Sequence, residues 1–129
     1  MDNGKLIMEN EIKMDHQQAI QDKSFHFAVR IVNLCRYLRD GQKEYILSKQ
    51  LMRSGTSIGA NVAEAQQAQI KPDFINKMNV ALKEAYETNY WLRLLHATQY
   101  LNTKEYESII ADYLEVVKLL VAIVKSAKE

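Results

Sequence analysis

The sequence predicts an all-α fold, an antiparallel up-down-up-down bundle of four helices, on three observations. One proline and four glycines in 129 residues are too few to turn a chain between many short strands. Apolar residues recur every three or four positions in four long segments, which is the period of a helix. The segments are separated by short polar breaks, and short connections make sequential helices antiparallel neighbours. A chain of this length holds one domain. The expected organisation is a flexible or partly helical extension over 1–21, then a bundle over 22–129 with helices at about 22–40, 43–67, 72–97 and 103–126.

Each helix has its own warrant. In the first, Phe27, Ile31, Leu34 and Leu38 form one stripe, which Ala28 and Cys35 widen, and Gly41 is placed to close it in a left-handed cap. In the second, Leu47, Leu51, Ser54, Ile58, Val62 and Ala65 keep the spacing through a run of small residues that is a poor helix by propensity. Gly55 and Gly59, one turn apart, would let a neighbouring backbone come close. Pro72 suits the first position of the third helix and Asp73 its positive end. Phe74, Met78, Ala81, Ala85, Thr88 and Leu92 then face one way. Asn102 and Glu105 are spaced as a capping box for the fourth helix. Its expected core is Ile109, Ile110, Tyr113, Leu114, Val117, Leu120, Val121 and Val124.

Some apolar surface is left over. Val29 and Val32 in the first helix, Val80 and Trp91 in the third, and Val116, Leu119 and Ile123 in the fourth lie off these stripes. Helices apolar on more than one face are buried on more than one face, so these are oligomer-interface candidates, and self-association is expected. Net charge is only +1, but residues 23–53 carry seven basic residues against two acidic ones, whereas 101–117 carry one basic residue against four acidic ones. Such halves can bind anions or each other between subunits. No apolar stretch suits a signal peptide or a membrane span, and the single cysteine, Cys35, permits no internal disulfide. The expected setting is cytoplasmic, without membrane contact.

The run from Gln50 through Leu51, Met52, Arg53, Ser54, Gly55, Thr56, Ser57, Ile58, Gly59, Ala60, Asn61, Val62, Ala63 and Glu64 to Ala65 closely resembles a family signature. It belongs to the bacterial four-helix-bundle proteins first noted in 23S rRNA intervening sequences. Phe74, Ala81, Leu82, Glu84, Glu87, Glu105 and Tyr106 fit the same pattern, and the resemblance spans about 24–126. It implies a bundle assembled into a ring, typically a homopentamer. It also implies kinship with the accessory variability determinant of diversity-generating retroelements, a similar fold that partners a reverse transcriptase and binds nucleic acid. This chain departs from that relative in being nearly neutral, and it has Lys71 and Pro72 where family members often have Ser or Thr.

Arg53, Ser57 and Asn61 share a helix face, with Glu64 one turn on. They could hold a ligand, but a hydrogen-bonded network through Glu84 or Glu87 that fixes helix register is the favoured reading. No glutamate has a histidine three residues later, so the ligand set of a di-metal bundle is missing, and no metal or other cofactor is expected. Cys35 reads as a small core residue, and no nucleophile, base and stabiliser can be assembled, so no enzyme is expected. The candidate ligand surface is basic: Arg30, Arg36, Lys43 and Lys49 would contact phosphates and read little sequence. Tyr37 and Tyr45 could stack on bases or simply pack. The expectation is a non-enzymatic homo-oligomeric scaffold that binds RNA, DNA or a nucleoprotein partner. The alternative is a protein–protein adaptor without nucleic-acid binding.

Overall fold

The computed structural model describes residues 3–129, with side chains from Asp15 onward. It contains four long helices: α1 (Asn3–Arg36), α2 (Leu47–Ala65), α3 (Lys71–Ala97) and α4 (Thr103–Lys128). No strand occurs among the described residues. α1 packs against α2 and α4, α2 also against α3, and α3 also against α4, which makes a four-helix bundle.

α1 starts far earlier than the expected 22. Glycine and proline are absent between Lys5 and Arg36, and glutamate, lysine, glutamine, alanine and methionine sustain a helix without needing an apolar stripe. Of the expected extension, residues 1–2 lie outside the described residues; the rest is continuous with α1. Ile20 and Ser24 are buried and continue the stripe of Phe27, Ile31, Cys35 and Leu38. The α1 ladder gives way at Tyr37–Gly41 to one wide π-type turn. That extra residue moves the chain reversal past Gly41. The left-handed residue is Lys43, with φ 58°, and the Glu44 N–H donates to the Leu38 carbonyl at 2.9 Å.

α2 begins at Leu47 rather than near 43 because Glu44 stays outside the helix and caps it. The buried Glu44 carboxylate accepts from the N–H groups of Ile46 (2.6 Å), Leu47 (2.5 Å) and Ser48 (3.2 Å). A negative charge there satisfies orphan donors and faces the positive end of the helix dipole. The small-residue run lets α2 lie close to α1. A methyl group at Gly55 would sit 2.8 Å from Ile31 Cγ2, and one at Gly59 would sit 3.2 Å from the Ser24 carbonyl oxygen. On the other side of α2, Thr88 Oγ1 of α3 lies 3.0 Å from Ser54 Oγ and 2.8 Å from the Glu84 carbonyl, so both buried hydroxyls are satisfied.

Pro72 opens α3 without a side-chain cap, and Asp73 sits in its first turn. α3 ends in a Schellman motif with Gln99 left-handed at φ 70°; Tyr100 N–H donates to Leu95 O and Gln99 N–H to His96 O. α4 opens with a complete capping box: Glu105 N–H donates to Asn102 Oδ1 at 2.8 Å, and Asn102 N–H to Glu105 Oε1 at 2.9 Å. The buried face of α4 is Ile109, Tyr113, Val116, Leu120, Ile123 and Val124. Relative to the sequence reading this face is rotated. Leu114 and Val121 point outward, and the expected interface residues Val116 and Ile123 are core. From Leu114 to Val124 the helix is apolar nearly all round, so periodicity alone could not choose the face.

Candidate nucleic-acid interface

The basic excess of residues 23–53 divides in two along the bundle. Toward the middle of α1 it is neutralised within the chain. Arg30 Nη1 reaches Asp112 Oδ2 at 2.6 Å and the Ser108 carbonyl at 3.1 Å, and its Nη2 donates to Ser108 Oγ at 2.9 Å. Lys23 pairs with Glu115 at 2.9 Å. The acidic fourth helix is thus bonded to α1 of its own chain, and Arg30 is withdrawn from the expected phosphate-binding set by partners 78 and 82 residues away.

Where α1 ends and α2 begins the excess is not neutralised. Arg36, Arg39, Lys43 and Lys49 are exposed and make no ion pair among the described residues. Lys43 Nζ donates only to the Asp40 carbonyl, at 3.2 Å. Of the two nearby acids, Glu44 spends its carboxylate on the α2 N–H groups, and Asp40 is exposed and makes no ion pair among the described residues, so the four cations exceed their local carboxylates. Arg39, which belongs to this cluster, was counted in the basic excess but not singled out. Its only signal in the sequence is its share of that excess, at the end of the first expected helix. Arg39, Tyr45, Ser48, Lys49, Met52 and Arg53 line an open groove of about 540 Å³.

The polar residues of the signature do not form one network. Arg53 reaches across to α3, to Glu84 at 3.4 Å and to Glu87. The Glu87 hydrogen bond, aided by both carboxylate charges, raises the already high pKa of its guanidinium. Ser57 Oγ instead donates to the Arg53 carbonyl at 2.6 Å, and Asn61 Nδ2 to the Ser57 carbonyl at 2.8 Å, both within α2. Glu64 pairs separately with Lys77 at 2.7 Å. Side chains that bond their own helix's carbonyls let polar residues sit in a helix, which is what Ser57 and Asn61 do here.

Burial pushes the Cys35 thiol up to about 12, with its Sγ 3.3 Å from the Ser48 carbonyl, so it is protonated at neutral pH. Among the described residues no three His, Cys, Asp or Glu side chains gather as a metal site would need. Likewise, no helix is long and apolar enough to cross a membrane.

Apolar residues are exposed on several elements, Ile46 ahead of α2 and Ile70 ahead of α3 among them. On α1, Phe25 is 71% exposed beside Val29, next to an α1–α2 groove of about 850 Å³ lined with Ala28, Ala60 and Ala63. On α3 and α4, Tyr86, Tyr90, Leu114 (57%) and Val121 (43%) are exposed. Of the other interface candidates, Val32, Val80, Trp91 and Leu119 are half-buried within the chain.

A family model described as 23S rRNA-intervening sequence protein matches residues 16–122. Among solved structures, the chain is similar to a protein of unknown function from the S23 ribosomal protein family of Bacteroides thetaiotaomicron. The two are 57% identical with a TM-score of 0.84, over 85% of this chain and 98% of that one. No curated protein matches the chain.

Proposed function

We propose that this chain, which belongs to the 23S rRNA-intervening sequence protein family, is a non-enzymatic, self-associating scaffold that binds nucleic acid through its basic end. The observation that carries this reading is the unpaired cluster of Arg36, Arg39, Lys43 and Lys49, left over after the rest of the basic excess has found carboxylates in the same chain. Cations in excess of their local carboxylates are what a phosphate backbone neutralises, with release of its condensed counterions. An up-down-up-down path is supported by pairs whose numbers run in opposite directions: Lys23 with Glu115 and Arg30 with Asp112, Arg53 with Glu84 and Glu64 with Lys77.

Self-association follows from the exposed Phe25 and Val29 on one side and Leu114 and Val121 on another, surface that other copies would cover. Two different faces joining head to tail generate a ring if the rotation closes. A count of five comes from the family resemblance, as does a reverse transcriptase or other nucleoprotein as the associated partner. A ring would repeat the basic cluster and raise its avidity without new contacts. The setting is cytoplasmic, which suits a protonated, buried lone cysteine.

Retention on nucleic acid, measured at about 50 mM and about 200 mM salt, tests the reading. Retention is expected at the lower concentration and should fall steeply at the higher one. Replacing Arg36, Arg39, Lys43 and Lys49 together with glutamine should remove it while the helical content stays unchanged. No retention even at low salt would overturn nucleic-acid binding and leave the adaptor reading in its place.

A further inference from the structure

We infer that the groove between the end of α1 and the first turns of α2 takes single-stranded nucleic acid, holding one unstacked base against Tyr45 with the flanking phosphates on Arg39 and Lys49. This rests on the proposed function and narrows it. Tyr45 precedes α2 and is 58% exposed, an aromatic surface open to solvent beside cations. Met52, half-buried against the core, supplies an apolar floor, and Ser48 and Arg53 complete the lining. The groove's volume of about 540 Å³ suits a small planar ligand and not a second helix. Arg53 enters it already oriented, because Glu84 and Glu87 hold its guanidinium from the α3 side. Arg36 and Lys43, exposed and without an ion pair among the described residues, add two more cations on the same stretch of chain.

The combination of an exposed ring and unpaired cations separates a single strand from a duplex. A duplex offers phosphates, but its base faces are stacked on one another, so Tyr45 would have nothing to bind. A single strand offers both, and ring stacking tolerates any base. Sequence preference should accordingly be weak. A free nucleotide carries the same base-plus-phosphate chemistry. Four cations without ion pairs exceed what one phosphate can use, which favours a strand over it.

Fluorescence anisotropy with the full chain decides the matter, using a labelled oligouridylate of about 12 nucleotides, a duplex of equal length, and uridine monophosphate as competitor. The single strand should bind more tightly than the duplex. Tyr45→Ala should weaken the single strand by roughly 5- to 100-fold and leave the duplex unchanged. Tyr45→Phe should restore single-strand binding, since the ring and not the hydroxyl stacks. Arg39→Gln combined with Lys49→Gln should weaken both ligands and flatten the salt dependence. Equal affinity for both ligands, or no effect of Tyr45→Ala, would overturn the inference while general nucleic-acid binding stands. Displacement of the strand by the monophosphate at similar concentrations would overturn the choice of a strand. Absence of binding to either ligand would remove both the inference and the reading beneath it.

Discussion

Gly55→Ala sets two known effects against each other, and the geometry decides between them. Alanine in a helix interior is favoured over glycine by about 1 kcal/mol, so propensity alone predicts stabilisation. The new methyl group, however, would lie 2.8 Å from Ile31 Cγ2, 2.9 Å from Cγ1 and 3.3 Å from Cβ. These atoms sit at the root of a fully buried, β-branched side chain whose χ1 has one strongly preferred value in a helix, so they cannot swing aside. Relief requires α1 and α2 to move apart or Ile31 to leave its rotamer, an overpacking cost of about 1–3 kcal/mol. The expected net effect is a loss of about 1 kcal/mol, read from the urea midpoint at fixed protein concentration. A double-mutant cycle isolates the cause. Ile31→Ala should cost about 2–5 kcal/mol by itself, and on that background Gly55→Ala should become stabilising. A full 1 kcal/mol gain from Gly55→Ala in the otherwise native chain would refute the close approach as the reason for glycine here.

Three further outcomes follow from local geometry. Glu44→Ala should cost about 2 kcal/mol in denaturant melts, because three N–H groups at the start of α2 lose their acceptor; a change under about 0.5 kcal/mol would dismiss the cap. Gln99→Gly should stabilise by about 1 kcal/mol, since φ 70° strains any residue with a Cβ, and a loss of stability would contradict this. The Cys35 thiol, raised by burial from an ordinary 9.0 to about 12, stays protonated in the fold after it would ionise in the unfolded chain. Stability should therefore fall as pH rises above 9, by roughly 1 kcal/mol at pH 10 from this group. Cys35→Ala should flatten that slope, and an unchanged slope would refute the assignment.

Local signals were the legible ones. The Asn102–Glu105 box is a motif three residues long, and it could be read because both partners lie within one turn of the chain. The stripe of α2 has polar residues such as Lys49, Arg53, Asn61 and Glu64 off it to fix the phase. α4 lacked that contrast, so Leu114 and Val121 were assigned to the core and Val116 and Ile123 to the surface, the reverse of what is found. The start of α1 lies well before 22 because the apolar period is weaker there, while a run without glycine or proline from Lys5 onward keeps the chain helical.

The candidate site was only partly legible, because charge pairing is a property of distant residues. Arg30 and Arg36 look alike in the sequence, yet Asp112 and Ser108 claim the first and leave the second free. Arg53 does pair with the expected Glu84 and Glu87 of α3. Ser57 and Asn61 bond within α2 instead, which spacing on one face could not distinguish from a shared network. The groove at Arg39, Tyr45 and Lys49 depends on the wide turn after α1, and no local motif announces a π-type turn.

The claim on which the scaffold rests is that copies of the chain cover one another's apolar faces. Burying Phe25 or Leu114 fully would contribute about 1.5–3 kcal/mol each, enough that an aspartate at either position should release the contact. Sedimentation equilibrium at micromolar concentration measures this directly. The native chain should run as a multiple of its 14.9 kDa mass, and Phe25→Asp with Leu114→Asp should shift it to a single chain that keeps its helicity. A native chain sedimenting at the mass of one copy would contradict the account.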